Sequence, residues 1–192
     1  MSHTQFNKSV DVLVIGTGCG GLTAALTADI SNSSEVLIIE KSHLIGGTSA
    51  TSGGVIWIPE NHLAKNKGSK DSLTEAKEYL KATIPSTEFN EPLIDAYLDQ
   101  GPKMVKFLED NTDARYSSLE HYPDYFQDAP GVKLGNRALE PLPVSAETLK
   151  DDVDNLHPSG PQTIMFGRYC VNFEESHAFA TQSPGWLRSE ER

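Results

Sequence analysis

The first forty residues contain two short apolar runs separated by a periodic apolar segment. Residues 10–15, VDVLVI, and residues 35–40, EVLIIE, are rich in β-branched side chains, which is typical of strands buried on both faces of a parallel sheet. Between them Leu22, Leu26 and Ile30 recur every four residues among alanines, which predicts a helix. A polar turn, SNSS, ends that helix. The strand, glycine turn, helix and strand fit within about 30 residues, the length of a βαβ unit.

Beyond residue 60 the pattern predicts helices. Ser72 and Glu75 form a capping-box pattern for a helix that runs to about Thr83. The stretch NEPLIDAYLDQ predicts a second helix, with Asn90 as its cap and a proline in its first turn. We expect Gly101-Pro102 to end this helix, and Pro102 to open a third one over KMVKFLEDN.

The rest of the chain is less regular. Residues 112–162 carry many Pro, Gly and Asp residues, and we expect them to form a largely irregular loop region. TIMFGRYCVNF at residues 163–173 fits either a strand pair or an irregular buried segment, and EESHAFATQ after it predicts a helix. No further strand candidates are found. Since two parallel strands do not make a stable parallel sheet, we expect the chain to be the N-terminal part of a larger protein.

Composition narrows the classes of function. The chain has 192 residues and a formal net charge of -11, from 27 acidic and 16 basic residues. Nucleic acid and anionic membrane surfaces are therefore not expected partners, because no basic cluster is available to bind them. No apolar run approaches the roughly 20 residues of a transmembrane helix, and the first ten residues lack the apolar core of a secretory signal. The two cysteines lie far apart, which favours a reducing, cytoplasmic setting, and the scattered histidines predict no metal site.

A glycine motif lies directly after the first predicted strand. Gly16, Gly18 and Gly21 match GxGxxG, and Glu40 ends the next strand, where a carboxylate would accept hydrogen bonds from ribose hydroxyls. This context favours dinucleotide binding over a glycine-rich turn that binds nothing. An acidic residue at position 40 disfavours the 2′-phosphate of NADP. For Cys19, a small side chain tolerated in the turn is a better interpretation than a redox role.

A second glycine-rich segment, GGTSATSGG at residues 46–54, follows where an NAD-binding unit would normally continue into a helix. One interpretation is a flexible linker. The other is a second contact with a cofactor that is longer than NAD, made by backbone N–H groups and hydroxyls. The segment is short and lies between two apolar runs, which favours the second interpretation and FAD as the cofactor.

These motifs together resemble a known family. GxGxGG, Glu-Lys and GG-T-S-A-x-S-GG are similar to the FAD-binding segment of the fumarate reductase/3-oxosteroid 1-dehydrogenase superfamily. SGGVIWIPENH, YPDYFQDAPG, GNRALEPLP and PGWL resemble the 3-ketosteroid dehydrogenase branch, so the resemblance covers about residues 9–188. Family members are much longer than this chain. The resemblance therefore implies an α/β class with a Rossmann-like FAD-binding βαβ unit at residues 9–60. A helical and loop-rich continuation at 61–192 would belong to an incomplete two-domain flavoprotein.

The resemblance also assigns residues to the cofactor. The pyrophosphate would contact the first glycine turn at Gly16, Gly18, Gly20 and Gly21. Glu40 would bind the adenosine ribose, and Lys41 would lie beside the adenine. The pyrophosphate and flavin would be lined by residues of the second segment: Gly47, Thr48, Ser49, Ser52, Gly53 and Gly54.

In this family a tyrosinate removes a proton beside the 3-ketone of a steroid, a hydride passes to the flavin N5, and a quinone or similar acceptor reoxidises the flavin. Tyr125 is the candidate catalytic tyrosine and Tyr122 a candidate pocket-wall residue, with simple packing of both rings as the alternative. Trp57, Tyr116 and Tyr169 are expected to be packing residues. The family's principal base and ketone-polarising residues lie in its C-terminal part, so we expect this chain alone to be inactive or nearly so.

Two alternatives stay open at this point. A fumarate or related enoate reductase would run the flavin chemistry in the opposite direction, but it needs cationic groups for a dicarboxylate. The stretch at residues 116–126 is aromatic and acidic, with Arg115 just before it, which favours a small apolar, steroid-like substrate. The second alternative is a truncated, catalytically inactive remnant.

Overall fold

The computed structural model describes residues 8–32, 35–161, 164–165 and 169–182. Contacts divide the chain into two compact units, Met1–Ser52 with Val144–Tyr169, and Gly53–Pro143 with Cys170–Arg192. Each unit is described by itself. The division at residue 60 that the sequence suggested stays a prediction.

The first unit contains the predicted βαβ unit. Strand β1 (Val12–Ile15), helix α1 (Cys19–Asn32) and strand β2 (Val36–Ile39) follow one another, and the two strands pair in parallel, with Val12 opposite Val36. Helix α1 packs on one face of this pair through Ala25, which is 5% exposed. The apolar runs and the helical periodicity therefore predicted the right elements in the right order.

The expectation that both faces of these strands are buried is wrong for this chain. Val14 is buried beneath α1, whereas Leu13 and Ile15 are 52% and 79% exposed. Side chains alternate between the two faces of a strand, and α1 covers only one of them. In the described part of the chain, nothing covers the Leu13 and Ile15 face enough to bury it. The sheet has two strands, which matches the strand count made from the sequence.

The rest of the first unit holds the second glycine segment. Helix α2 (Gly47–Thr51) is a single short turn that follows Gly46, whose φ of 111° lies in the left-handed region. Just before it, Ile45 forms a parallel bridge with Leu156, which is preceded by two short 3₁₀ helices at Ala146–Thr148 and Lys150–Asn155. This bridge brings the chain after residue 144 next to the glycine segment.

The second unit has a three-stranded antiparallel sheet. Strands β3 (Ile56–Trp57), β4 (Tyr116–Ser118) and β5 (Ala138–Pro141) pair in the order β3-β5-β4. The expectation of a largely irregular region without further strands is therefore wrong at β4 and β5. Their sequences, YSS and ALEP, contain no β-branched run, so local pattern could not reveal them. Their pairing comes from contacts between segments that are distant in sequence.

Three helices pack around this sheet: α3 (His62–Asn66), α4 (Leu73–Thr83) and α5 (Glu91–Asn111). The centre of the core is formed by Ile58, Val105 and Leu139, each at most 2% exposed. Each helix starts at a side-chain cap. Asn61 accepts from the N–H of Ala64, and Ser72 and Asn90 cap α4 and α5 in the same way. The predicted helix from Ser72 to about Thr83 is confirmed.

The predicted break at Gly101-Pro102 is wrong, because α5 runs through it as one helix. Leu98, Gly101, Val105 and Leu108 are all buried, so a single apolar face continues past the proline. A Cβ on Gly101 would lie 3.2 Å from Ile58 Cδ1, which shows how closely this turn packs on the residue that follows β3. Tertiary packing of this face outweighs the hydrogen bond that Pro102 cannot donate.

The chain continues into a third small sheet and a last helix. Strands β6 (Ile164–Met165) and β7 (Tyr169–Cys170) form a two-stranded sheet, which confirms the strand pair among the two alternatives. Helix α6 (Phe173–Thr181) is confirmed and starts at a capping box between Asn172 and Glu175. The PGWL stretch at residues 184–187 lies outside the described residues. Among the helices described, none has the length and apolar character needed to cross a bilayer.

Candidate functional site

The glycine turn between β1 and α1 has the shape of a phosphate-binding turn. Gly16 follows β1 with a φ of 98°, and its N–H donates to the carbonyl of Ile39 on β2. At Gly21 a Cβ would lie 2.2 Å from the carbonyl oxygen of Gly16, so only glycine lets the helix start this close to the strand. At Gly16 and Gly20 nothing lies within 4 Å of the place of a Cβ. The outer side of the turn is thus open for a ligand at the helix N-terminus.

Glu40 lies at the end of β2 and is held by this turn. Its Oε2 accepts from both the N–H and the hydroxyl of Thr17, at 3.0 and 2.6 Å, and its Oε1 accepts from the N–H of Ser42 at 2.9 Å. The Thr17 hydroxyl and the two backbone N–H groups lower the pKa of Glu40 to about 2. At neutral pH the residue is therefore a fixed carboxylate, which suits it to accept hydrogen bonds from ribose hydroxyls.

The second glycine segment lies against the first turn. Cys19 at the start of α1 donates its N–H to the Ser49 hydroxyl at 3.0 Å, and a Cβ on Gly47 would lie 3.6 Å from Gly18 Cα. Within the segment, the Ser52 hydroxyl donates to the carbonyl of Ser49. Residues 47–51 form a turn of helix rather than an extended linker, so the structure favours the interpretation of a shaped second contact.

The remaining predicted cofactor residues lie at different places. Lys41 and Thr48 are exposed beside the residues described above. Gly53 and Gly54 belong to the second unit. Gly54 has a φ of 73°, and a Cβ there would meet Pro141 Cγ at 2.8 Å. Close packing on β5 is therefore sufficient to explain glycine at position 54, and its cofactor contact stays a prediction.

Thr17 is the residue of this region that sequence reasoning missed. It lies between the first two glycines of the motif, Gly16 and Gly18, and is 6% exposed. Besides its bonds to Glu40, its hydroxyl accepts from the N–H of Gly46 at 2.9 Å. The sequence carries only one signal for this role, a small hydroxyl residue between Gly16 and Gly18. Its partners are 23 and 29 residues away, beyond the reach of local pattern.

The tyrosine pair predicted for catalysis lies in the second unit. The hydroxyls of Tyr122 and Tyr125 are 3.5 Å apart, and Tyr125 is 82% exposed. The contact with Tyr125, together with burial, raises the pKa of the Tyr122 phenol. Tyr122 is therefore protonated at neutral pH. Its ring packs edge-on against Phe173, with ring centroids 4.8 Å apart.

Asp124, between the two tyrosines, anchors their loop. Its carboxylate accepts from Trp57 Nε1 at 2.6 Å, from the Lys133 N–H at 2.9 Å and from Arg137 Nη1 at 2.8 Å. Arg137 also binds Asp71 through Nε and Nη2 and lies over the Trp57 ring, 5.4 Å from its centroid. Sequence reasoning missed this cluster because its members are spread over some 80 residues. Trp57 has the contacts expected of a packing residue. Tyr169 was also predicted to be a packing residue, but its side chain lies outside what the structure describes.

Glu140 on β5 is a further carboxylate that sequence reasoning missed. It is 5% exposed, and its Oε1 accepts from the N–H of Phe173, the first residue of α6. Burial raises the pKa of Glu140 above its usual range, although the N–H groups of Phe173 and Glu174 act in the opposite direction. The carboxylate joins β5 to the N-terminus of α6, next to the packed ring of Tyr122.

Comparison with known proteins decides the family. The sequence profile described as "FAD binding domain" matches residues 11–154, three quarters of the chain. The chain belongs to the FAD binding domain family.

Relatives of this FAD binding domain include two groups of dehydrogenase. A 4-oxocyclohexanecarboxylate 2-dehydrogenase from Sinomonas cyclohexanicum is 41% identical over 163 residues, covering 84% of this chain and 28% of that protein. A 3-oxosteroid 1-dehydrogenase from Mycobacterium tuberculosis is 40% identical over 153 residues, covering 79% of this chain and 27% of that protein. The chain thus spans less than a third of the length of these relatives.

Solved structures agree with this grouping. The 3-ketosteroid delta1-dehydrogenase from Sterolibacterium denitrificans, in complex with 1,4-androstadiene-3,17-dione, has a TM-score of 0.84 and 38% identity. The match covers 93% of this chain and 31% of that one. The open conformation of a flavocytochrome c3 fumarate reductase has a TM-score of 0.53 at 20% identity, which shows a shared fold only.

These comparisons confirm several predictions made from the sequence. The resemblance to the fumarate reductase/3-oxosteroid 1-dehydrogenase superfamily, the incomplete α/β fold and FAD as the cofactor are all confirmed. The residues present also fit FAD, because the FAD binding domain has an open glycine turn and a fixed carboxylate at the end of β2. The individual contacts of each predicted residue with FAD stay predictions.

Proposed function

We propose that the protein containing this chain is an FAD-dependent oxidoreductase that dehydrogenates a 3-oxosteroid, and that this chain supplies its FAD-binding part. The observation that carries the proposal is the join between the two glycine segments, where Cys19 bonds to Ser49 and Thr17 bonds to Gly46. These two bonds hold the glycine turn after β1 and helix α2 next to each other. The likeness to a solved 3-ketosteroid dehydrogenase supports the choice of substrate class.

In this proposal the first unit binds and orients the cofactor. The N-terminus of α1 faces the pyrophosphate with its positive dipole end, and the ionised Glu40 accepts from the ribose hydroxyls. When bound, FAD supplies an acceptor for the hydride that leaves the substrate. The hydroxyls of Thr48, Ser49 and Ser52, with the backbone of Gly47, would line the bound FAD. The FAD contacts of Gly53 and Gly54 are proposed from the family resemblance alone.

The tyrosine pair would act on the substrate proton. A ring ketone acidifies the neighbouring carbon, so a phenolate is a sufficient base for its proton. Tyr125 is the proposed catalytic tyrosine of this chain, which would assist the removal of that proton. Tyr122, protonated at neutral pH, can donate a hydrogen bond to the Tyr125 oxygen across 3.5 Å. The family's principal base would come from the part of the protein beyond this chain, so we propose that this chain alone is inactive or nearly so.

Two further parts of the proposal rest on the resemblance and on the sequence. A quinone or similar acceptor would take the electrons from the reduced enzyme, as in the family that the motifs resemble. A cytoplasmic location is favoured by the two widely spaced cysteines, of which Cys19 is a thiol without a disulfide.

The decisive experiment is a dye-reduction assay with the purified, FAD-loaded protein. We expect the dye to be reduced when a 3-oxosteroid is the substrate, and much less when the substrate is 4-oxocyclohexanecarboxylate. Reduction by the cyclohexane acid alone would move the substrate class to small ring ketones. Oxidation of the reduced enzyme by fumarate, without any turnover of ring ketones, would overturn the proposal in favour of a fumarate or enoate reductase.

The tyrosine assignment is tested in the same assay. Tyr125→Phe removes the proposed catalytic hydroxyl and is expected to lower turnover about 100-fold or more, the usual range for a group in general acid–base catalysis. Tyr97→Phe is the matched control, since the Tyr97 hydroxyl donates to the backbone carbonyl of Trp57 and has no proposed role in the reaction. Equal turnover of the two variants would assign Tyr125 to packing or to the surface.

A further inference from the structure

Thr17 joins three parts of the candidate FAD site through one side chain. Its hydroxyl has one proton, which it donates to Glu40 Oε2 at 2.6 Å, and it accepts a hydrogen bond from the N–H of Gly46 at 2.9 Å. Its own N–H, within the glycine turn, donates to the same carboxylate oxygen at 3.0 Å. The side chain is 6% exposed, so these bonds are shielded from water.

The chemistry of these bonds fixes their direction. An ionised carboxylate only accepts, and a backbone N–H only donates, so a group placed between them must do both. A hydroxyl meets this requirement. A valine of the same shape would leave the Gly46 N–H without its acceptor and the Glu40 Oε2 with one donor fewer.

The position of Glu40 depends on this arrangement. A glutamate side chain turns about three bonds, and Glu40 is only partly buried, so packing alone does not hold its carboxylate. Thr17 donates two hydrogen bonds to the carboxylate, and the N–H of Ser42 donates another. Removal of the hydroxyl would leave a carboxylate tied to backbone N–H groups alone.

The same hydroxyl also holds the second glycine segment. The Gly46 N–H lies directly before α2, whose Ser49 hydroxyl accepts from Cys19 at the start of α1. These two bonds fasten α2 to the first turn at its beginning and at its centre. Loss of one of them would let Gly46 and Gly47 move away from Gly18.

We propose that Thr17 is a positioning residue for FAD, which sets the Glu40 carboxylate for the ribose and the Gly46–Gly47 backbone for the pyrophosphate in a single step. The inference rests on FAD binding by this chain and deepens the proposed function. Thr17 acts through its two partners, so it need not touch the cofactor itself.

The test compares FAD affinity among three variants of the purified protein by isothermal titration calorimetry. Thr17→Val is expected to raise the Kd for FAD about 10- to 100-fold, the effect of losing hydrogen bonds to a charged group. Thr17→Ser keeps the hydroxyl and is expected to stay within about threefold of the parent protein. Thr27→Val is the matched control, because the Thr27 hydroxyl is exposed on α1 and donates only to the carbonyl of Thr23.

A pH profile separates positioning from a general loss of structure. In the parent protein the low pKa of Glu40 leaves the carboxylate ionised from pH 7 to pH 4, so FAD affinity is expected to change little over this range. In Thr17→Val the pKa of Glu40 returns toward its usual range, so affinity is expected to fall as the pH drops from about 6 to 4. Glu40→Gln, which cannot ionise, should remove this pH dependence. It should also cost less affinity in the Thr17→Val background than in the parent.

Each other outcome overturns the inference. Equal FAD affinity of Thr17→Val and the parent protein would show that the hydroxyl does not position the site. Additive effects of the Thr17 and Glu40 substitutions would show that the two residues act separately. If Thr17→Val fails to fold by circular dichroism, Thr17→Ala takes its place, and unfolding of both would assign Thr17 to folding. If the parent protein binds no FAD, the proposed function itself fails.

Discussion

Arg137 and Asp124 form an ion pair of 2.8 Å in which the two side chains are only 1% and 2% exposed. Asp71, 7% exposed, binds the other edge of the same guanidinium. Burial alone would raise the pKa of the Asp71 carboxyl, but the bonds and charge of Arg137 hold it below its usual range. One guanidinium thus balances one of two buried negative charges. Through Asp124 it also holds the loop that carries Tyr122 and Tyr125.

Arg137→Met is expected to destabilise the protein by about 3–5 kcal/mol, because it leaves both carboxylates buried without their cation. Urea denaturation at pH 7 measures this change. Arg115→Met is the control, since the Arg115 guanidinium is exposed and bonds to backbone carbonyls, and it should cost less than about 1 kcal/mol.

The ion pair between Arg137 and Asp71 also makes stability depend on pH. It stabilises the fold above the pKa of an unfolded Asp and loses this effect as the pH falls through the lowered pKa of Asp71. The difference between Arg137→Met and the parent should therefore shrink below about pH 4.

Glu140 should make the free energy of unfolding depend on pH in the opposite direction from Asp71. Its pKa is raised in the folded protein, so the folded state binds the proton more tightly than the unfolded state does. The free energy of unfolding should then fall as the pH rises from the unfolded pKa through the folded one. Glu140→Gln is expected to flatten this slope between about pH 4.5 and pH 7, measured by urea denaturation at several pH values. Glu120→Gln, at an exposed position, should keep the slope of the parent, and a parent curve that rises over this range would contradict the prediction.

Pro102 lies inside α5 at a position where alanine would restore a helical hydrogen bond. Pro102→Ala is expected to stabilise the protein by about 1–2 kcal/mol, after subtraction of the entropy that the proline removes from the unfolded chain. Pro92→Ala makes the same change in the first turn, where the N–H has no helical partner. It should be neutral or destabilising by up to about 1 kcal/mol. Thermal unfolding distinguishes the two, and equal melting temperatures would show that α5 has already adapted to Pro102.

Substitutions at Gly21 and Gly20 distinguish a glycine required for packing from a glycine required for contact with the cofactor. Gly21→Ala places a Cβ against the Gly16 carbonyl, a backbone atom that cannot move away easily, and is expected to cost about 1–3 kcal/mol of stability without FAD. Gly20→Ala has open space around its Cβ and should stabilise α1 by up to about 1 kcal/mol without FAD. If Gly20 contacts the pyrophosphate, the same variant should still bind FAD more weakly. A destabilised Gly20→Ala protein would be inconsistent with this geometry.

The parts of the fold that sequence predicted are those set by local pattern. The βαβ unit, the caps at Ser72 and Asn90 and the glycine turn each depend on residues within a few positions of one another. The break predicted at Pro102 was wrong because a local rule was applied where long-range packing decides. Strands β4 and β5 were missed for the same reason, since neither has a pattern of its own.

The candidate site shows the same division. The spacing of GxGxxG and Glu40 was sufficient to predict a dinucleotide-binding turn, because the function itself imposes that spacing. The bond from Thr17 to Gly46 and the Arg137 cluster could not be predicted, because they depend on which distant segments meet. Glu40 was assigned to the ribose from its position alone. The structure adds that its carboxylate is already ordered by the protein.

The order in which the strands pair has a consequence for synthesis on the ribosome. Strands β1 and β2 are separated only by α1, so the βαβ unit can form as soon as residue 39 has left the exit tunnel. Strand β3 pairs with β5 alone, and its partner at Ala138–Pro141 is made some 80 residues later. Until β5 is made, Ile56 and Trp57 have no strand to pair with, and the apolar face of α5 has no complete sheet to pack against. A stalled or truncated nascent chain that ends before residue 138 would therefore expose this surface and be a preferred substrate for chaperones.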